Sequence, residues 1–349
     1  MGVEERKKLF AALEQELNAR VFVVLTGDRQ GMETRIAPDI LPLVSEHLSR
    51  IGLTETLALF LYTPGGDSIA GWGLVNLIRQ YCKKLQVLVP FRALSCGTLI
   101  ALGADEILMG RHGLLSPIDP SVASPFNPPA PGGEQPGRVS LLPVSVEDVI
   151  GFLDLARKEL GLKSDDSMVT VLNTLASKVH PLALGAVYRA REQNSSLARR
   201  LLLSHSEDEG KAERIVARLT QELSTHNYLI GRAEALQDIE LGIVEPSAKC
   251  EKLMWELYKE YENWLKITSP VSTELDLGAE DHKSVRYERA ALESLCDGVL
   301  AQHIYIADKY LIRVKVTPPG MQVAVDQVAE RIIYQGWVAS KDGEVLQWT

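Results

Sequence analysis

The chain has 349 residues, 46% hydrophobic and 24% charged, with a formal net charge of -9. That length can bury one large or two modest cores, and an acidic balance with no concentrated Lys/Arg run argues against nucleic acid, whose phosphates need a basic footprint. Cys82, Cys96, Cys250 and Cys296 lie far apart without metal-ligand spacing, and no run reaches the roughly 18 apolar residues of a membrane helix, so a cytoplasmic chain with reduced thiols and no metal site is expected.

The first residues run into amphipathic sequence, not a signal-peptide core, and Arg6 stands where a myristoylation motif needs Ser or Thr. Leu9, Phe10, Leu13 and Leu17 form a helical stripe, followed by a β-branched run from Val21 to Leu25 and a turn at 27–31. A second helix is expected over 40–51. The run from Thr56 to Tyr62 reads as a strand covered on both faces, 68–82 as a helix, 85–90 as a strand, 96–104 as a helix and 106–109 as a strand. That alternation predicts parallel strands joined by right-handed crossovers, with functional loops at the strand C-terminal ends.

Two such loops stand out. Leu61-Tyr62-Thr63-Pro64-Gly65-Gly66-Asp67 ends one strand and Ala93-Leu94-Ser95-Cys96-Gly97-Thr98 ends the next, each just ahead of a helix. A diglycine turn lets backbone N–H groups approach a carbonyl without a Cβ clash, and a small-residue turn presents a serine where unpaired amides stabilise negative charge. Together these make an oxyanion hole (the N–H groups of Gly65, Gly66 and Cys96) and a nucleophile (Ser95). Helix capping alone also explains a serine there; the pairing of the two loops favours chemistry.

Farther along, 121–143 is rich in Pro and Gly and reads as a surface loop of about 122–143, with a flap over the site as the sharper alternative. Helical sequence resumes at Ser145 and continues with loops to about 229, including a long helix after His180-Pro181. Residues 250–265 form an aromatic-rich helix (Trp255, Tyr258, Tyr261, Trp264), read as core or interface packing. Residues 285–349 read as helix, strand (311–316) and helix (322–333), a small α/β appendage. Two regions are therefore expected: 1–248, and 249–349 as helical linker plus appendage. His47, His112, His205, His282 and His303 read as surface or packing residues.

The order of Phe60 to Asp67, Pro90 to Thr98, Ala101-Leu102-Gly103-Ala104-Asp105-Glu106-Ile107 and Leu115-Ser116-Pro117-Ile118-Asp119-Pro120 resembles the serine dehydrogenase proteinase family. That family lies within the Clp-protease/crotonase superfamily and is similar to signal peptide peptidase A type serine proteases. The likeness spans about residues 5–245. It implies an α/β fold of stacked βαβ units with a mostly parallel sheet, Ser95 as the nucleophile, and an ATP-independent serine endopeptidase in a homo-oligomer acting on polypeptide, with no cofactor. Nothing resembles a dehydrogenase, since no Gly-x-Gly-x-x-Gly follows an early strand. The chain departs from the Clp pattern in lacking a histidine near 116–120, where Asp119 is either a turn former or an orienting carboxylate. Aligning helix starts with the peptidase A type places His180, or its neighbour Lys178, as general base, with Glu222 or His226 to orient it. The missing histidine leaves two other classes open: a non-catalytic oligomeric scaffold, and a crotonase-like acyl-CoA enzyme.

Overall fold

The computed structural model describes residues 2–118, 121–122, 124–135, 138–142, 144–223, 227–317 and 324–345. From the N-terminus it sets out α1 (Val3–Leu17), β1 (Arg20–Thr26), α2 (Ile40–Ile51), β2 (Thr54–Tyr62), α3 (Ser68–Arg79), β3 (Cys82–Val89), α4 (Cys96–Ala101) and β4 (Glu106–Met109). Four strand pairs run parallel in the order β11-β4-β3-β2-β1, where β11 is the short strand Ile243–Val244. The uninterrupted apolar runs of β1 and β2 are explained by cover on both sides. Phe22, Val24, Leu59 and Leu61 meet α2, α3 and α4 on one face. Val21, Val23, Phe60 and Tyr62 meet α1 and α10 (Ala248–Leu265) on the other. The aromatic stripe of α10 is packing, with Tyr258 and Tyr261 fully buried in that second core.

The described residues from 282 to 345 differ from the expected appendage. They form three long antiparallel strands, β12 (His282–Cys296), β13 (Val299–Val316) and β14 (Val325–Lys341), and the short β15 (Glu344–Val345). β12 pairs with β1, so one nine-stranded mixed sheet crosses the boundary expected at 248, parallel on one side of β1 and antiparallel on the other. Where helices are expected from 285 and over 322–333, residues 285–296 and 325–333 are strand, because tertiary pairing overrides local helical patterning; residues 322 and 323 lie outside the described residues. A buried ion pair fastens this wing to the body: Arg6 of α1 bonds both oxygens of Glu293 in β12 at 3.0 and 3.1 Å, and Tyr261 and Gln302 also donate to that carboxylate. Removing one partner alone would leave an uncompensated buried charge.

The Pro-rich segment is not a plain loop either. Ser121–Val122 (β6) pairs with Val144–Ser145 (β9), and Pro129–Gln135 (β7) with Arg138–Leu141 (β8), with a register break between Pro129 and Glu134. Pro at the first position of a strand costs the ladder nothing. The helices α5 (Val146–Asp154), α6 (Asp165–Ala176), α7 (Pro181–Leu202) and α8 (Glu209–Ala217) follow. Among the described residues no helix is long and apolar enough to cross a membrane.

His47 and His303 do pack, but as a linked pair. Ser294 Oγ lies 2.7 Å from His47 Nδ1, His47 Nε2 lies 3.0 Å from His303 Nδ1, and His303 Nε2 is 3.5 Å from Glu46. His47 is 1% exposed, and burial, reinforced by His303 and Arg50, pushes its imidazole down to about 3 from an ordinary 6.5. The unfolded chain therefore binds a proton that the fold refuses, so stability falls with pH below about 6.5. The shift corresponds to about 2 kcal/mol lost between pH 7 and pH 5. Urea denaturation of wild type and His47→Gln at both pH values is expected to show a larger loss in wild type than in the variant, by about 2 kcal/mol.

Candidate active site

β2 and β3 are adjacent and parallel, so their C-terminal loops emerge side by side. Main-chain bonds continue the pairing past the strands: Thr63 N–H donates to Arg92 O (2.9 Å) and Leu94 N–H to Thr63 O (3.0 Å). The two loops highlighted by the sequence thus converge. A Cβ built on Gly65 would lie 3.0 Å from Ser95 Cβ and 3.4 Å from Ser95 Oγ.

Gly65 and Gly66 have φ of 120° and 154°, conformations that side chains rarely adopt. At Gly66 the absence of a Cβ is also a matter of space, since one would meet Ile36 O at 2.2 Å and Ile36 N at 2.5 Å. The segment after β1 lies along the turn, with Ile36 N–H donating to Gly65 O (2.9 Å) and Asp67 N–H to Ile36 O (2.8 Å). Beneath it, the fully buried Thr63 hydroxyl accepts from Gly65 N–H (3.0 Å), donates to Gly65 O (3.1 Å) and meets Thr26 Oγ1 at 2.6 Å.

These bonds divide the three expected oxyanion donors. Gly65 N–H is already committed to Thr63. Among the described residues, Gly66 N–H and Cys96 N–H have no acceptor. Gly65 contributes its missing side chain, which lets Ser95 approach.

Ser95 sits just before α4 with φ 52° and ψ −109°, a strained backbone for a residue other than glycine. Its side chain makes no capping bond, so the simple capping explanation does not apply. The residue is half-buried. Because α4 has only six residues, the local Cys96 N–H matters more here than a long-helix dipole. Ser95 N–H is held by Ser116 Oγ at 2.7 Å. Cys96 Sγ turns inward to Asp67 O (3.1 Å), and burial pushes its thiol up to about 12, which keeps it protonated and out of the cleft.

Among the described residues, no bond joins Ser95 to His180 or Lys178. His180 caps α7: Leu182 N–H donates to its Nδ1 at 3.2 Å, and its exposed ring stacks on Phe126 with centroids 4.8 Å apart. An Nδ1 that accepts carries no proton, so in the neutral ring the proton sits on Nε2 and the one lone pair is spent on the cap. Lys178 is exposed. Glu222 closes the segment Arg218–Glu222 after α8. Asp119 and His226 lie outside the described residues. Among the described residues no side chain accepts from Ser95 Oγ.

Sequence reasoning quoted Thr63 and Ser116 inside its motifs without a role and did not single out Thr26. The signal was present: Thr26 ends β1 as Thr63 follows β2, a pair of polar residues closing adjacent apolar runs.

Residues 50–132, which contain both loops, match the family model described as ClpP-like SDH-type serine proteinase. The match is confined to that segment. Two curated relatives are uncharacterized proteins of Methanocaldococcus jannaschii. One is 28% identical over 208 residues, covering 59% of this chain and 59% of the relative. The other is 29% identical over 128 residues, covering 34% and 43%. The chain thus spans less than two thirds of the length of either. Solved structures similar to it include a mutant of the 1510-N membrane-bound stomatin-specific protease (16% identity, TM-score 0.36, 65% of this chain and 80% of that one). Another is ClpP1 from Listeria monocytogenes (15%, TM-score 0.36, 67% and 96%).

The Ile36–Gly66 approach is directly testable. Gly66→Ala must displace backbone and strain φ together, and is expected to destabilise the protein by about 2–4 kcal/mol in a chemical denaturation midpoint.

Proposed function

We propose that the chain is a serine endopeptidase-like hydrolase that opens peptide bonds through an acyl-enzyme on Ser95, without ATP and within a homo-oligomer. The observation that carries this reading is the 3.4 Å between Ser95 Oγ and the place where a Gly65 Cβ would stand, flanked by the unbonded N–H groups of Gly66 and Cys96. A substrate carbonyl seated there receives Ser95 Oγ at carbon while both N–H groups meet its oxygen. Each such donor is worth about 3 kcal/mol of transition-state stabilisation. The Ser95 proton passes to a base and then to the leaving amine, and water releases the acyl group.

The base is sought between His180 and Lys178, with Glu222 or His226 as the orienting group. His180 would have to release Leu182 before its Nδ1 could accept a proton, whereas no described bond commits Lys178. One observation favours a second reading: with no acceptor on Ser95 Oγ among the described residues, the cleft could hold an extended segment without cutting it.

Fluorophosphonate labelling separates the two. The wild-type protein is expected to label covalently, Ser95→Ala to lose at least 100-fold of that rate, and Cys96→Ala to stay within about 3-fold of wild type. The pH profile names the chemical class of the base, with an inflection at about 6.5 for an imidazole and at about 10 for an alkylamine. A folded protein inert to the probe at every pH supports the binding reading.

A further inference from the structure

We infer that Ser116 is the positioning residue of the Ser95 turn, holding the nucleophile's backbone in its strained conformation through a hydroxyl that never touches substrate. The inference rests on the hydrolase reading for its kinetic consequence, not for its geometry. Ser116 is 2% exposed and Thr98 is fully buried. Ser116 Oγ accepts Ser95 N–H at 2.7 Å and gives its own hydrogen to Pro117 O at 3.0 Å. With that hydrogen directed away, a lone pair is left facing the Ser95 amide.

The Ser116 backbone is fixed in turn. Its N–H donates to Thr98 Oγ1 (3.0 Å), and the Thr98 hydroxyl donates to Ala93 O (3.0 Å). The chain of bonds therefore leaves the loop at Ser95, passes through Ser116 and Thr98, and returns to the same loop two residues earlier. A closed circuit of satisfied bonds fixes a shape more firmly than separate contacts do. It is also what a φ of 52° at a serine requires, since such a conformation persists only where its surroundings over-determine it.

The bond has a second effect. It removes Ser95 N–H from the cleft, and the next amide, Cys96 N–H, is the one left open to a substrate oxygen. Without the Ser116 hydroxyl, Ser95 N–H loses its acceptor, and the turn can relax by rotating the peptide that carries the Cys96 donor. Nucleophile and donor then drift together, and misplacement by about 1 Å costs roughly 100-fold in rate.

The test uses the full chain and a fluorophosphonate, with the limiting labelling rate separated from probe affinity. Ser116→Ala is expected to slow the limiting rate about 30-fold with affinity unchanged within about 2-fold, and Ser116→Thr, which restores a hydroxyl, to recover to within about 3-fold of wild type. Should Ser116→Ala not fold, Ser116→Cys keeps the size and offers a weak acceptor, and carries the same expectation. Residue-resolved amide exchange gives a readout independent of catalysis, with the Ser95 amide exchanging at least 10-fold faster in Ser116→Ala while Leu99 and Leu102 are unchanged. Wild-type labelling rates in the Ala and Cys variants, or an unchanged Ser95 exchange rate, would overturn the inference. An inert wild-type protein with faster Ser95 exchange in the variant sinks the hydrolase reading and leaves the positioning role standing.

Discussion

The site depends on one steric fact: there is no room for a Cβ at residue 66. The Ile36 main chain lies where that atom would be, bonded to Gly65 O on one side and to Asp67 N–H on the other. This contact ties the loop after β1 to the loop after β2 and gives the diglycine turn its shape. Gly65, by lacking its own side chain, then lets Ser95 close to van der Waals distance. Polar groups below the turn serve the same end, because the Thr63 hydroxyl takes up Gly65 N–H and O together and prevents the turn from rotating. Among the described residues, the N–H groups of Gly66 and Cys96 are left without an acceptor beside this bonded turn.

β1 is the hinge of the architecture. It supplies the parallel partner of β2 and, through its other edge, the antiparallel partner of β12. A strand in that position is buried along both faces and both edges, which is why its apolar run is uninterrupted. The C-terminal wing is thus not remote from the layer that carries the candidate site: β12 pairs with the strand whose last residue, Thr26, bonds Thr63 under the diglycine turn. The Arg6–Glu293 pair holds α1 against the same wing. Such a buried pair contributes little net stability over an apolar alternative but penalises any packing that separates its partners, so it specifies how the wing docks.

The parts that sequence resolved and the parts it missed differ for a physical reason. Up to residue 109 each strand is a short apolar run closed by glycine or polar residues and followed by a 3.6-period stripe, and both signals are local. The stretch from Ala290 to Leu295 is also apolar, but Ala-Ala-Leu-Glu-Ser-Leu carries helical propensity, and its burial on both faces in β12 erases the alternation that would mark a strand. Glu293, a charged residue within this stretch, is the fully buried partner of Arg6. Only pairing with β1 and β13, remote in sequence, decides the matter. The site divides in the same way. The turns that carry Ser95, Gly66 and Cys96 were legible because strand-end loops have sequence signatures, while Ser116, Thr98, Thr63 and Thr26 act through hydroxyls whose partners become neighbours only after folding.

The residues proposed as base were chosen by aligning helix starts, and the position chosen does have a helix-start function. His180 precedes Pro181 and accepts from Leu182 N–H, which satisfies one of the amides a helix leaves open at its N-terminus. That role and proton abstraction compete for a single lone pair. If the ring were protonated it could not accept from Leu182, so a His180 that took the Ser95 proton would lose its cap in the same step. A base with an uncommitted acceptor avoids that cost. The geometry therefore weights the search for the proton acceptor away from the α7 start and toward groups whose acceptors are not already engaged in holding the fold.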